Sequence, residues 1–247
     1  MAKAREHSAI VTVVDVLCAS STLIAFFANG GSEAYVVDTV EKAFLWKKKL
    51  SHALLSGEKL ARPILGFDLG FTPLDMEKQR VSGKTIVFTS TNGAMIMTHA
   101  AQVVSEIFVG AVTNSRAMAA TLAGHARRTG HDLVIIPAGV IHSEEDSIQW
   151  EVEDWIGACW IAHHCGLEIH PESMRIYTAM CERIRAEGFV SIFTKTPLGD
   201  LLIKLGLGDV VRQCATEDCT DMVVRVVEVL NDHDCGMALR LVGCRGD

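Results

Sequence analysis

The sequence predicts a three-layer α/β/α fold around a largely parallel or mixed sheet, and three observations carry that reading. Short runs rich in β-branched residues alternate with segments of helical periodicity. Turn formers separate the two kinds of segment, and the helical segments are long enough to cross back over a sheet. Composition agrees: 49% hydrophobic and 21% charged residues with five prolines describe a packed globular chain and exclude disordered or collagen-like architectures. At 247 residues the chain can bury roughly 70–75% of its unfolded surface without disulfides. We read residues 1–247 as one α/β domain, with a division into two lobes around a cleft left open and no boundary placed.

Residues 11–17 are a buried strand because Val dominates them, and Ser20 or Ser21 can cap a helix over 22–29 that Gly30 and Gly31 end. Residues 34–37 form a second strand, and Thr39 caps a helix on which Val40, Ala43, Phe44 and Lys47 share a face. A short strand at 53–55 leads into a long segment, 57–80, whose alternating Leu65, Phe67, Leu69 and Phe71 suit a pinned functional loop. Strand 85–89, the Asn92-Gly93 turn, helix 94–101 and strand 103–109 follow. Asn114 or Ser115 caps helix 116–128, and 132–137 is another strand. Helices are expected at 150–164, 172–187 and 198–205, with strands at 223–229 and 237–242. No fixed-period repeat is present.

The net charge of −7, from 23 basic and 30 acidic residues, gives no general attraction for nucleic acid or an anionic membrane. No apolar run reaches the ~18–20 residues that span a bilayer, because the most hydrophobic stretch, 10–28, carries Asp15, Ser20, Ser21 and Thr22. The opening MAKAREHSAI has Lys3 and Arg5 but no secretory apolar segment, so a cytoplasmic location is expected. Eight dispersed cysteines are expected to be free thiols. Cys214, Cys219, Cys235 and Cys244 lack the paired spacing of a zinc site, and His163 and His164 suit the end of a helix dipole.

Ligands of open parallel sheets gather where strands end, so polar residues just after strands are candidates. Asp15 closes the first strand, Glu58 follows Gly57, Asp68 sits in the glycine-flanked loop, and Thr91, Asn92 and Gly93 follow another strand. Glu153 and Asp154 open a helix after the acidic run Glu144, Glu145 and Asp146. Several carboxylates together suit Mg²⁺, which commonly bridges to a substrate phosphate. Ser20, Ser21 and Thr22 at a helix start can present hydroxyls and amides to an anion; capping is their structural alternative. Cys18 at the same junction invites a nucleophile reading, but no arginine follows at the spacing of a thiol-phosphatase loop. Neither a Walker loop nor a serine-hydrolase elbow is present.

Taken together, VVDVLCASST (13–22), Gly57-Glu58, GFDLGFTP (66–73), FTSTNGA (88–94), GAVTN (110–114), Ala138-Gly139, EVEDWIGA (151–158) and TPLGDLLIKLG (196–206) resemble the 2-phosphosulfolactate phosphatase family over nearly the whole chain. The resemblance implies Mg²⁺-dependent hydrolysis of 2-phospho-3-sulfolactate to 3-sulfolactate and phosphate, a step of the kind used in coenzyme M biosynthesis. It implies that metal and catalytic duties fall on a subset of Asp15, Glu58, Asp68, Glu153 and Asp154. Substrate phosphate would be met by Ser20, Ser21, Thr22, Thr91, Asn92, Gly93 and Asn114. The expected partner is a small anionic phosphorylated substrate, with a homo-oligomer left open. One position departs: Cys18 stands where the family pattern has arginine, so an anion contact is missing unless Arg62, Lys84 or Arg116 replaces it. A non-catalytic or altered-specificity anion-binding relative is therefore the competing reading.

Overall fold

The computed structural model describes residues 9–142, 147–149 and 151–246; Lys3, Arg5 and the run Glu144, Glu145 and Asp146 lie outside them. In chain order the first half comprises β1 (Ala9–Val14), α1 (Ala19–Ala28), β2 (Glu33–Val36), α2 (Val40–Lys49), β3 (Leu54–Lys59), β4 (Arg62–Pro63), α3 (Lys78–Val81), β5 (Thr85–Thr89) and α4 (Gly93–Ala100). It continues with β6 (Glu106–Gly110), α5 (Ser115–Thr129), β7 (Asp132–Pro137) and a small hairpin of β8 (Val140–His142) and β9 (Ser147–Gln149). Helices α6 (Val152–Cys165), α7 (Pro171–Glu187), α8 (Phe189–Phe193), α9 (Pro197–Lys204) and α10 (Gly208–Cys214) precede the closing hairpin of β10 (Met222–Asp232) and β11 (Gly236–Arg245).

Alternation along the strands produces the layers. On β1, Ile10 and Val14 enter an apolar cluster with Met118 and Leu122 of α5 and Ile156 and Ile161 of α6. Val11 and Val13 enter the opposite cluster with Leu23 and Phe26 of α1 and Met97 of α4. Farther along the sheet, Val87 and Leu55 pack against Ala43 and Trp46 of α2. Helices therefore cover both faces, as a three-layer α/β fold requires. Among the described residues, no helix is long and apolar enough to cross a membrane.

Nine strands form one sheet in the order β4-β3-β5-β2-β11-β10-β6-β1-β7. The sheet is mixed: β3, β5 and β2 are mutually parallel, β6, β1 and β7 are mutually parallel, and the antiparallel β10–β11 hairpin joins the two sets. Following the pairings across the hairpin shows that the two parallel sets run in opposite senses. Five strand-to-strand steps separate β1 from β5, and a twist of roughly 20–25° per step turns one by ~100–125° relative to the other.

Several local expectations change. The α1 helix starts earlier, with Cys18 at the N-cap position and Ser20 and Ser21 inside the helix. On α2 the buried residues are Ala43 and Trp46, and Phe44 is largely exposed. Residues 57–80 contain the end of β3, β4, a 3-10 turn at Pro73–Asp75 and α3. Helices α8 and α10 were too short to produce a periodic signal.

Candidate active site

Asp15 follows β1 and turns into α1. Its Oδ1 accepts the Ala19 amide at 3.2 Å, and its Oδ2 accepts the Gly93 amide, the first residue of α4, at 2.9 Å. Gly93 is required by this approach, since a Cβ there would lie 2.7 Å from Asp15 Oδ2. Glu58, on β3, accepts the amide and hydroxyl of Thr91 and the Ala61 amide at 2.7 Å. Gly57 makes that placement available: its φ is +141°, and a Cβ would fall 2.0 Å from the Thr89 carbonyl oxygen. Glu151 occupies the N-cap position of α6. These three carboxylates line one cleft of about 300 Å³ with Ser90, Thr91 and Asn92, and apolar residues that include Leu17, Cys18, Phe71, Leu198, Leu201 and Leu202 complete the lining.

Two further acids stand behind the lining. Asp154 Oδ1 accepts the Val16 amide at 2.7 Å and Oδ2 accepts the Gly139 amide at 3.2 Å, so it ties the ends of β1 and β7 to α6. Glu153 is fully buried, and neither of its carboxylate oxygens meets a donor in hydrogen-bond geometry among the described residues.

The electrostatics register this crowding. Burial, then the charge of Glu58, pushes Asp15 up to about 6, against the opposing Ala19 and Gly93 amides. Burial pushes Glu153 up to about 7, reinforced by Glu151 and Asp15 and partly offset by its own amide and the nearby Thr196 hydroxyl. Asp154 is held well above the ordinary carboxylate range by burial and by the charges of Asp15 and Glu153. Among the described residues no Lys, Arg or His lines the cleft. A divalent cation fits this donor set: it would relieve the buried excess of negative charge that Asp15, Glu58 and Glu151 bring to the cleft.

Other expected site residues are placed elsewhere. Asp68 lies outside the lining; its Oδ2 accepts the Leu55 amide at 2.8 Å and faces Lys47 at 3.8 Å. The hydroxyls of Ser21 and Thr22 donate to the carbonyls of Val16 and Phe71, and Ser20 Oγ accepts the Asp15 amide. All three side chains are buried and hold the β1–α1 junction together. Asn114 Oδ1 accepts the Ala111 amide, and its Nδ2 donates to the Met222 carbonyl, which fixes β6 to β10. Arg62 and Lys84 are exposed outside the lining, and Arg116 pairs with Asp218 at 2.8 Å, so none of them substitutes for the missing guanidinium at Cys18.

All eight cysteines are free. A hydrogen bond with Cys214 and burial hold the Cys18 thiol well above its ordinary range, which argues against the nucleophile reading. His164, Glu217 and Asp218 cluster away from the cleft, but Trp160 donates to Glu217 at 2.8 Å and Arg116 engages Asp218, so that charge is already met. Sequence reasoning missed Glu151, Ser90 and the leucines of α9. The run Glu151-Val152-Glu153-Asp154 contained a signal for the first, since a helix start places its N-cap and first-turn residues at different depths.

The 2-phosphosulpholactate phosphatase family model matches residues 1–229, and the chain belongs to that family of phosphoric monoester hydrolases. It is 35% identical over 225 residues to a probable 2-phosphosulfolactate phosphatase of Carboxydothermus hydrogenoformans, covering 90% of this chain and 87% of the relative. Proteins carrying the same name in Clostridium novyi and Thermotoga petrophila are each 30% identical, with 86% and 87% of this chain covered and 87% and 88% of theirs.

Proposed function

We propose that the protein is a Mg²⁺-dependent phosphatase that releases phosphate from a small organic phosphate monoester, with 2-phospho-3-sulfolactate as the substrate its family membership puts first. The observation that supports this most is the convergence of Asp15, Glu58 and Glu151 in one cleft that lacks a basic side chain among the described residues. A phosphorylated acid would be repelled by such a lining alone, so binding requires a cation held by those carboxylates. When bound, Mg²⁺ supplies counter-charge to phosphoryl oxygens and acidifies a water molecule.

The chain's own residues set the geometry. Amides of Ala19 and Gly93 hold the Asp15 carboxylate, and those of Thr91 and Ala61 hold Glu58, so neither needs to reorganise when a ligand arrives. Asn92 and Ser90 at the start of α4 present an amide and a hydroxyl to phosphoryl oxygens. Asp154 acts as a positioning residue by fixing the Val16 and Gly139 amides. Leu17, Phe71 and the α9 leucines give the cleft apolar surface that limits water. Phosphate release from a panel of monoesters that includes phosphosulfolactate, with and without Mg²⁺, tests the reading; no release from any of them rejects it. Cys18 supports a second reading, in which the chain is a relative of altered specificity or a binder without turnover. Release from phosphosulfolactate at the rate of other small esters would reject that one.

A further inference from the structure

We propose that β7 is the contact edge of a two-fold dimer, in which β7 of one chain pairs antiparallel with β7 of a second copy. The sheet has two edges, and they are built differently. At one end β4 is two exposed residues, Arg62 and Pro63, and a short, charged, proline-bearing edge resists pairing. At the other end β7 is six residues long and apolar from Leu133 to Pro137, yet none of its residues is fully buried. Leu133 and Ile135 lean on the α5–α6 cluster, and Val134, on the opposite face, is 44% exposed. A groove of about 690 Å³ adjoins this edge, with Trp155, Leu167, Ile169 and Ile176 among its lining.

The main chain fixes what can pair there. The Ala138 amide donates to the Val14 carbonyl at 2.9 Å, in the parallel register that sets Val14 against Pro137. Alternation then turns the main-chain groups of Asp132, Val134 and Ile136 toward β1 and those of Leu133, Ile135 and Pro137 outward. One two-fold register uses every outward amide and carbonyl of Leu133 and Ile135: each Leu133 faces Ile135 of the other copy, and Val134 faces Val134 on the axis. Moving the axis by one residue fails either way. It sets Ile135 against His131, whose amide already donates to the Thr129 hydroxyl at 3.2 Å, or Leu133 against Pro137, which has no amide. Size and charge also fit a second copy. The groove is lined by 20 residues, and a stable interface takes roughly 20–30 residues a side. Arg127 and Glu168 are exposed lining residues, neither in an ion pair among the described residues, so the surface carries both signs and suits contact with its own copy.

The test is sedimentation equilibrium of the full chain at micromolar concentration, where the mass of two chains is expected. Val134→Lys sets two like charges on the axis at an exposed position, and is expected to weaken the dimer by about a hundredfold or more while keeping the parent's circular dichroism. A second pair of variants reads the register and decides the matter even if lysine disturbs folding. With the exposed Cys219 and Cys244 changed to serine, Val134→Cys is expected to form a disulfide between chains when treated with oxidised glutathione. Facing residues of a non-hydrogen-bonded antiparallel pair have Cα atoms about 4.5 Å apart, within disulfide reach. Asp132→Cys, set opposite Ile136 of the second copy, is expected to stay unlinked. A single-chain mass for the unmodified protein overturns the proposal. So does a dimer that Val134→Lys leaves intact, or one that Asp132→Cys links as readily as Val134→Cys.

Discussion

The Gly93 amide donates to Asp15 Oδ2 at 2.9 Å, joining the carboxyl end of β1 to that of β5 across 78 residues of sequence. These strands belong to oppositely running parallel sets, so the bond links the two halves of the sheet beside the cleft. A single carboxylate thus both closes the fold and faces the proposed cation.

Asp15→Asn can keep the Gly93 bond through its amide oxygen, but its Nδ2 then faces the Ala19 amide, so the charge and one accepted hydrogen bond are lost together. We expect phosphate release to fall by about 10²-fold or more, with the thermal midpoint little changed. The midpoint holds because the neutral side chain relieves repulsion from Glu58 while giving up the Ala19 contact. Undiminished turnover would contradict the role given to Asp15.

Stability of the metal-free protein should fall as pH rises. Asp15 moves from 3.8 to about 6 and Glu153 from 4.5 to about 7 on folding. Between those limits the native state binds more protons than the unfolded chain, so the stabilisation present below about pH 4 is lost as pH rises through about 6 and then about 7. Mg²⁺ competes with those protons and should raise the melting temperature more at about pH 8 than at about pH 5. Thermal unfolding at both pH values checks this, and an equal shift at each would count against the carboxylate cluster as the cation site.

Two glycine substitutions should separate close approach from mere helix position. Gly93→Ala places a Cβ 2.7 Å from Asp15 Oδ2 and is expected to lower both activity and melting temperature. Gly124→Ala, inside α5 with nothing within 4 Å of its new Cβ, should stabilise by about 0.5–1 kcal/mol with turnover unchanged. Equal effects from both would show that the Gly93 contact is not tight.

Cys18→Ser should retain most of the turnover, and thiol alkylation should act slowly, since the Cys18 side chain is only 7% exposed and held neutral. Abolished activity in the serine variant would restore cysteine as the nucleophile.

Much of this was legible in the sequence because burial on both faces imposes near-continuous runs of β-branched and apolar residues, as at Val11 to Val14 and Ile86 to Phe88. Asp15 and Glu58 stood out as candidates because each follows a strand, where ligands of open sheets gather. What pattern could not supply was direction. Strand polarity between β6 and β10, or β11 and β2, depends on long-range pairing that leaves no local periodic trace, so the mixed order of the sheet was not readable. Hydroxyls posed the opposite problem. Ser20, Ser21 and Thr22 suit an anion site and a buried junction equally well, and only the carbonyls of Val16 and Phe71 show which bonds two of them make.

The most direct test is Mg²⁺ binding by the unmodified chain and by Asp15→Asn and Glu58→Gln, measured by calorimetry near pH 8. One site per chain, weakened by about tenfold or more in each variant, is the result expected if these side chains share a single ion. Unaltered affinity in both variants would place the cation elsewhere and contradict the account.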